Sequence, residues 1–171
     1  MNKRSIVYDS NVIIDFKAGK IRDSIFRIVE TVTVSRTVYN KELKKERKYL
    51  APHLLDGKLK ILERTQEIEQ ITSGLQKYRT ARTDIYDLFC LASAIYLSAP
   101  LATGDAELRA AATKEKCQLT GTIGIAKKIV EAGFDAEKML TAFELMKQRR
   151  RRLPWALALK EIVELRKGKD D

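Results

Sequence analysis

Short β-prone runs alternate with helical stretches along this chain, and that alternation restricts the architecture to an α/β fold built on a mainly parallel sheet. Ser5-Ile6-Val7-Tyr8 is the first run, and Asp9-Ser10-Asn11 behind it can cap a helix over Val12 to Ala18. Thr31-Val32-Thr33-Val34 is the second. Ser35 then caps a helix in which Val38, Glu42 and Glu46, at spacing four, share one face. Pro52 and Asp56-Gly57 punctuate the chain before a third run, Leu59 to Leu62. A polar helix is expected over Thr65 to Tyr78 and a mostly buried one over Asp84 to Leu97, whose neighbouring face carries Asp84, Asp87, Leu91 and Ala94. Pro100 to Thr103 reads as a buried strand, Gly104-Asp105 as the turn into a helix over Ala106 to Glu115, and Cys117 to Leu119 as the last strand.

From Ile123 onward the pattern is helical throughout. Phe134, Met139, Leu140 and Phe143 mark one amphipathic helix. Trp155, Leu159, Ile162 and Leu165 mark another after Pro154, with Arg149-Arg150-Arg151-Arg152 between them. A chain of 171 residues, 44% hydrophobic, with three prolines and eight glycines, has about one domain's length and one core. No apolar run approaches the roughly 18 to 20 residues that cross a bilayer, and MNKRSIVYD contains no secretory apolar region, so a cytoplasmic protein is expected. Gly121-Thr122-Ile123-Gly124 lacks the lysine of a nucleotide-binding loop and reads as a turn into a helix.

Two cysteines and one histidine suggest neither a zinc site nor a disulfide framework, and Cys90 belongs to an apolar helical run. His53, beside Pro52, reads as a loop or surface residue. The 33 Lys plus Arg against 23 Asp plus Glu give a formal +10, which suits a polyanionic partner. Lys44, Lys45, Arg47 and Lys48, on the same expected helix as Glu42, and Arg149 to Arg152 are the candidate contacts to nucleic acid or a protein partner; a solvated surface is the plain alternative for each.

The chemistry points to acids. In an open parallel sheet, ligands bind outside the carboxyl ends of the strands. Asp9 and Asp105 both stand at such ends. Either alone reads equally well as a helix N-cap. With Glu42 and Asp87 beside the same edge, a cluster of carboxylates results whose mutual repulsion a cation would offset. Oxygen ligands without His or Cys favour Mg²⁺ or Mn²⁺ over zinc.

These residues also carry a family resemblance. Val7-Tyr8-Asp9-Ser10-Asn11-Val12-Ile13-Ile14-Asp15 resembles the opening strand and helix of PIN domains, and Ser35 to Leu43 is similar to the family's second block, with Glu42 as its glutamate. Asp87 to Ala94, Ala99 to Asp105 and Leu108-Arg109 resemble the third block almost position for position, and Gly121 to Ile125 resembles the end of the domain in some members. The likeness spans roughly residues 5 to 125. It departs at Thr83-Asp84, where many relatives have Leu-Ser, so a second carboxylate lies one helical turn from Asp87 and the choice of ligand between the two stays open.

The resemblance implies a three-layer α/β/α nuclease domain over 1–125; the C-terminal helical extension, 126–171, lies beyond it and is expected to pack on the same domain because the stripe Trp155, Leu159, Ile162 and Leu165 must be buried. The resemblance further implies a metal-dependent endoribonuclease in which Asp9, Glu42, Asp87 and Asp105 hold Mg²⁺ or Mn²⁺ and water hydrolyses an RNA phosphodiester. Ser10, Asn11, Asp84 and Thr103 are the expected supporting residues. The commonest setting in this family is the toxin of a VapBC-type toxin–antitoxin pair, so RNA, an antitoxin protein and a second copy of the chain are the expected partners. A nucleic-acid-binding module whose activity has lapsed and an RNA-processing nuclease without an antitoxin are the alternatives.

Overall fold

The computed structural model describes residues 4–170, with side chains described through residue 168. Five strands, β1 (Ser5–Tyr8), β2 (Thr31–Ser35), β3 (Leu59–Leu62), β4 (Leu101–Ala102) and β5 (Leu119–Thr120), form one sheet in the order β3-β2-β1-β4-β5. Every pairing is parallel, with Val7 opposite both Thr33 and Leu101. The helices are α1 (Ser10–Ala18), α2 (Arg36–Lys41), α3 (Arg47–Leu55), α4 (Gln66–Gly74), α5 (Ile85–Leu97), α6 (Ala106–Lys114), α7 (Thr122–Glu131), α8 (Ala136–Gln148) and α9 (Trp155–Asp170).

Side chains alternate across the strands, and the helices sort by face accordingly. Ile6, Tyr8, Val32 and Val34 point into a core shared with α1, α7, α8 and α9, whereas Val7 and Leu101 join α4, α5 and α6 on the opposite face. The result is the expected three-layer α/β/α arrangement. Cys90, on α5, is fully buried, and both cysteines are free thiols. No helix among the described residues is long and apolar enough to cross a membrane.

Several elements differ from their sequence reading. The helix expected to carry Val38, Glu42 and Glu46 on one face stops at Lys41, because the fully buried Leu43 turns inward and its N–H reaches back to Val38 O at 3.1 Å. Glu46 leaves that face to pair with Lys17 at 2.6 Å, and Lys44, Lys45, Arg47 and Lys48 lie in a short 3₁₀ turn and in α3, off the helix that precedes Glu42. Pro52 and His53 lie inside α3, not in a loop. The His53 ring stacks on Phe26 at 3.7 Å, which holds it in an aromatic cluster with Tyr49.

The expected helix 65–78 divides into α4 and a 3₁₀ turn over Leu75–Tyr78, and β5 starts two residues later than expected. After Pro154 the buried face of α9 runs through Ala158 and Ile162, with Trp155 and Leu165 partly buried beside them. Leu159, placed on the same apolar stripe by its spacing, is instead 39% exposed. Gly121 caps the start of α7, as a turn into a helix requires.

Candidate active site

The strand order reverses between β1 and β4, because β2 and β3 extend the sheet on one side of β1 and β4 and β5 on the other. The connections leaving the two central strands therefore diverge above their carboxyl ends and open a crevice there. Asp9 directly follows β1, and its N–H donates to Ala102 O across the divide at 2.9 Å. Asp105 follows β4 by way of Thr103 and Gly104 and caps α6, its Oδ1 accepting from Leu108 N at 2.7 Å.

Thr103 joins these two acids. It is fully buried, its hydroxyl donates to Asp9 Oδ2 at 2.8 Å, and its oxygen accepts from Asp105 N at 3.1 Å. Asn11 adds a longer bond from Nδ2 to Asp9 Oδ2 at 3.4 Å. The Ser10 hydroxyl donates to Glu42 Oε2 and lies 3.5 Å from Asp9 Oδ1, so one side chain on α1 spans the first two acids. Glu42 occupies the C-cap of α2, where the break at Leu43 leaves it facing this crevice.

Asp84 and Asp87 form a reciprocal cap at the start of α5. Asp84 Oδ1 accepts from Tyr86 N at 2.7 Å and from Asp87 N at 3.0 Å, and Asp84 N donates to Asp87 Oδ2 at 2.8 Å. Asp84 is exposed, whereas Asp87 is partly buried, so of the two it is Asp87 that loses contact with water.

The acids act on one another electrostatically. Burial raises the Asp9 carboxyl above its usual range; bonds from Thr103 and Asn11 oppose the rise, and the Asp105 charge adds to it. Burial likewise pushes Asp87 up to about 7, with the charges of Asp84, Asp9 and Asp105 contributing and the Asp84 N–H opposing. Glu42 is raised too, first by partial desolvation of its carboxylate although the residue as a whole is exposed, and then by Asp9 and Asp84, against the Ser10 bond. The buried Cys90 thiol behind them is raised by burial and then by Asp9, Glu42 and Asp87.

Among the described residues, no group of three or more Asp, Glu, His or Cys side chains is arranged to hold a metal ion as it stands. The donor chemistry nonetheless fits a hard divalent cation. Three carboxylates hold protons more tightly than usual because their charges are crowded and partly desolvated, a cost that a cation removes. Each acid is anchored mainly through one oxygen, leaving Glu42 Oε1, Asp87 Oδ1 and Asp105 Oδ2 without a hydrogen-bond partner among the described residues.

Other residues beside the crevice, Asp15 and Arg109 among them, lie in segments that carry the resemblance but were given no role there. Asp15 is 5% exposed, accepting from Thr122 Oγ1 at 2.5 Å and from Arg151 Nε at 2.5 Å. Its one visible signal is an acid one helical turn beyond Asn11 in an otherwise apolar segment. Arg109 Nη1 donates to Thr103 O at 2.9 Å and Thr120 O at 2.8 Å, tying together the carboxyl ends of β4 and β5. A groove of about 570 Å³ between α2, α4 and α5 is lined by Arg36, Arg64, Tyr86 and Phe89 but by none of the four acids. Lys44, Lys45, Arg47 and Lys48 are exposed, with Arg47 also donating to Asn40 O at 3.0 Å.

The sequence matches the family described as PIN domain (DUF3368) over residues 5–166, a span that includes α8 and most of α9. A comparison with curated proteins gave no match.

Proposed function

Since this chain belongs to the PIN-domain family, a family of nucleases, we propose that it is a metal-dependent endoribonuclease acting as the toxin of a VapBC-type pair. The observation that carries the nuclease reading is the meeting of Asp9, Glu42, Asp87 and Asp105 above the point where the strand order reverses. The toxin role rests on the family setting. An antitoxin and a second copy of the chain are the partners that role calls for.

Asp9, Glu42, Asp87 and Asp105 would hold Mg²⁺ or Mn²⁺. A cation bound there supplies an activated water and neutralises charge on the scissile phosphate. The surrounding residues orient the acids: Thr103 and Asn11 fix Asp9, Ser10 turns Glu42 toward it, and the Asp84 N–H fixes Asp87 through Oδ2. Because Oδ2 accepts that N–H, a proton on Asp87 resides at Oδ1. In the metal-free protein burial raises that carboxyl to about 7, and a cation held there would displace the proton and take the oxygen.

The test is cleavage of structured RNAs in Mg²⁺ by wild type, by Asp9→Asn and by Asp105→Asn, with EDTA as control. We expect EDTA to silence wild type and each variant to lose roughly a hundredfold or more in rate, at least the upper end of a supporting-residue loss of about 10- to 100-fold. Unchanged cleavage by both folded variants overturns the assignment. Growth arrest on expression of wild type but not of Asp9→Asn is the corresponding readout for the toxin role.

A further inference from the structure

The segment between α8 and α9 reaches the acid crevice from the far end of the chain. Arg150, Arg151, Arg152 and Leu153 line a cleft of about 300 Å³ together with Asn11, Asp15, Gly104 and Asp105. The four arginines are not equivalent there. Arg149 Nη1 donates to Ala18 O, at the end of α1, at 2.9 Å. Arg151 Nε donates to Asp15 Oδ1 at 2.5 Å, and its Nη2 lies 3.4 Å from Asn11 O. These two side chains are committed to α1, and the pair with Asp15 is mostly shielded from water.

Arg150 and Arg152 are committed to nothing. Both are exposed, and neither forms an ion pair or side-chain hydrogen bond among the described residues. Arg150 adopts the left-handed conformation, φ 59°, closing α8 as its N–H bonds Lys147 O at 2.9 Å while Arg151 N–H bonds Met146 O at 3.0 Å. The backbone course of the segment is thus set by the helix end and by the two anchored arginines. Arg152 also borders an adjoining cleft of about 440 Å³, which shares Gly104 and Leu153 with the first and continues past Thr103, Arg109 and Lys127. The two clefts therefore adjoin at Gly104, Arg152 and Leu153, with Asp105 and both unpaired arginines lining the first of them.

We propose that Arg150 and Arg152 form a phosphate clamp for single-stranded RNA beside Asp105, with Arg149 and Arg151 as the positioning residues that hold the segment against α1. The proposal rests on the nuclease reading above and adds to it the part of the chain that grips the substrate. A cluster of acids repels a polyanion, and fixed cations next to it offset that repulsion while leaving the acids free. Guanidinium groups suit this task because their planar donor pattern matches phosphate oxygens. The clamp contacts phosphates flanking the scissile one and carries no base preference of its own.

The test reads binding without hydrolysis. Fluorescence anisotropy of a 5′-labelled, 12-nucleotide single-stranded RNA of mixed sequence is followed in EDTA, with the full chain, at 50, 100 and 200 mM NaCl. We expect the double substitution Arg150→Gln and Arg152→Gln to weaken binding about tenfold at 100 mM. It should also lower the slope of log K against log salt by about 1.4, the value for two phosphate contacts on a single strand at about 0.7 each. Lys58→Gln with Lys60→Gln, which removes the same charge at the amino-terminal end of the edge strand, should change binding less than twofold.

The pair Arg150→Lys and Arg152→Lys should restore most of the slope, since the slope counts charges. An unchanged melting temperature shows that the glutamine variant is folded. Wild type that binds while the glutamine pair binds equally well, or no worse than the lysine control, overturns the clamp alone. Wild type that does not bind this RNA at all also overturns the clamp, whereas the nuclease reading stands or falls on the cleavage assay in Mg²⁺.

Discussion

Asp9 carries the tightest constraint in the crevice: a carboxylate only 2% exposed, with Thr103 and Asn11 as donors and Asp105 as a like-charged neighbour. Such a group costs stability when it ionises, and the pH dependence follows from that. Asp9, Glu42 and Asp87 all have folded pKa values above their ordinary ones, 3.8 for the aspartates. Below the ordinary value they are protonated in both states and contribute no penalty. As pH rises, the unfolded chain loses these protons first, so the folded state binds more protons and stability falls until the folded pKa is passed, near 7 for Asp87. The melting temperature of the metal-free protein should therefore decline between about pH 4 and 7. Asp87→Asn should flatten the decline, and Mg²⁺ should raise the melting temperature more at pH 8 than at pH 5. A profile that rises or stays level over that window counts against the crowded-acid description.

Helix ends decide which acids face the crevice. The helix before Glu42 ends because Leu43 is drawn into the core, and that break, invisible to a spacing rule, separates Glu42 from Glu46. At the start of α5 the caps divide the roles of Asp84 and Asp87, whose order was open at the level of sequence. Asp84 serves the helix: its Oδ1 accepts two backbone N–H groups, and it remains exposed. Asp87 faces the charges of Asp9 and Asp105. Asp84→Ala should thus cost about 1 kcal/mol of stability, as for loss of an N-cap, with activity within about tenfold of wild type. Asp87→Ala should abolish magnesium-dependent cleavage. The opposite ranking in matched magnesium titrations would move the ligand role to Asp84.

The C-terminal helices are part of the principal apolar core of the molecule. Met139, Ala142, Phe143 and Met146 of α8 and Ala158 and Ile162 of α9 are buried in the same cluster as Ile6, Tyr8 and Phe16. Phe143 meets Trp155 edge-on, with ring centroids 6.2 Å apart, and so couples the two helices. Gly19, at the end of α1, admits α8 closely: a methyl group there would stand 2.8 Å from Met146 Cε and 3.2 Å from Ala142 O. Phe143→Ala should therefore lower stability by about 3 to 5 kcal/mol in denaturant melts while the molecular mass by light scattering stays constant. A loss below about 1 kcal/mol would mean that these helices are peripheral to the fold. The same packing brings the arginine segment against α1, so the integrity of α8 bears on the crevice as well as on stability.

Local chemistry in the sequence was enough to locate most elements. β-branched runs, caps such as Ser35, Asp84 and Asp105, and the periodicity of α5 express dihedral and facial preferences that depend on near neighbours alone. The same signals put Asp9 and Asp105 behind strands, and four blocks in order supplied the family. Position in space needed the whole fold. Only the order β3-β2-β1-β4-β5 sets Asp9 beside Asp105, through the Thr103 bridge that spans 94 residues of sequence. Only packing ends α2 at Leu43, turns Leu159 outward and joins Arg151 to Asp15 across 136 residues. Those outcomes depend on which apolar surfaces compete for the core and which buried charges find partners, and contacts between distant segments carry no period that a linear reading can detect.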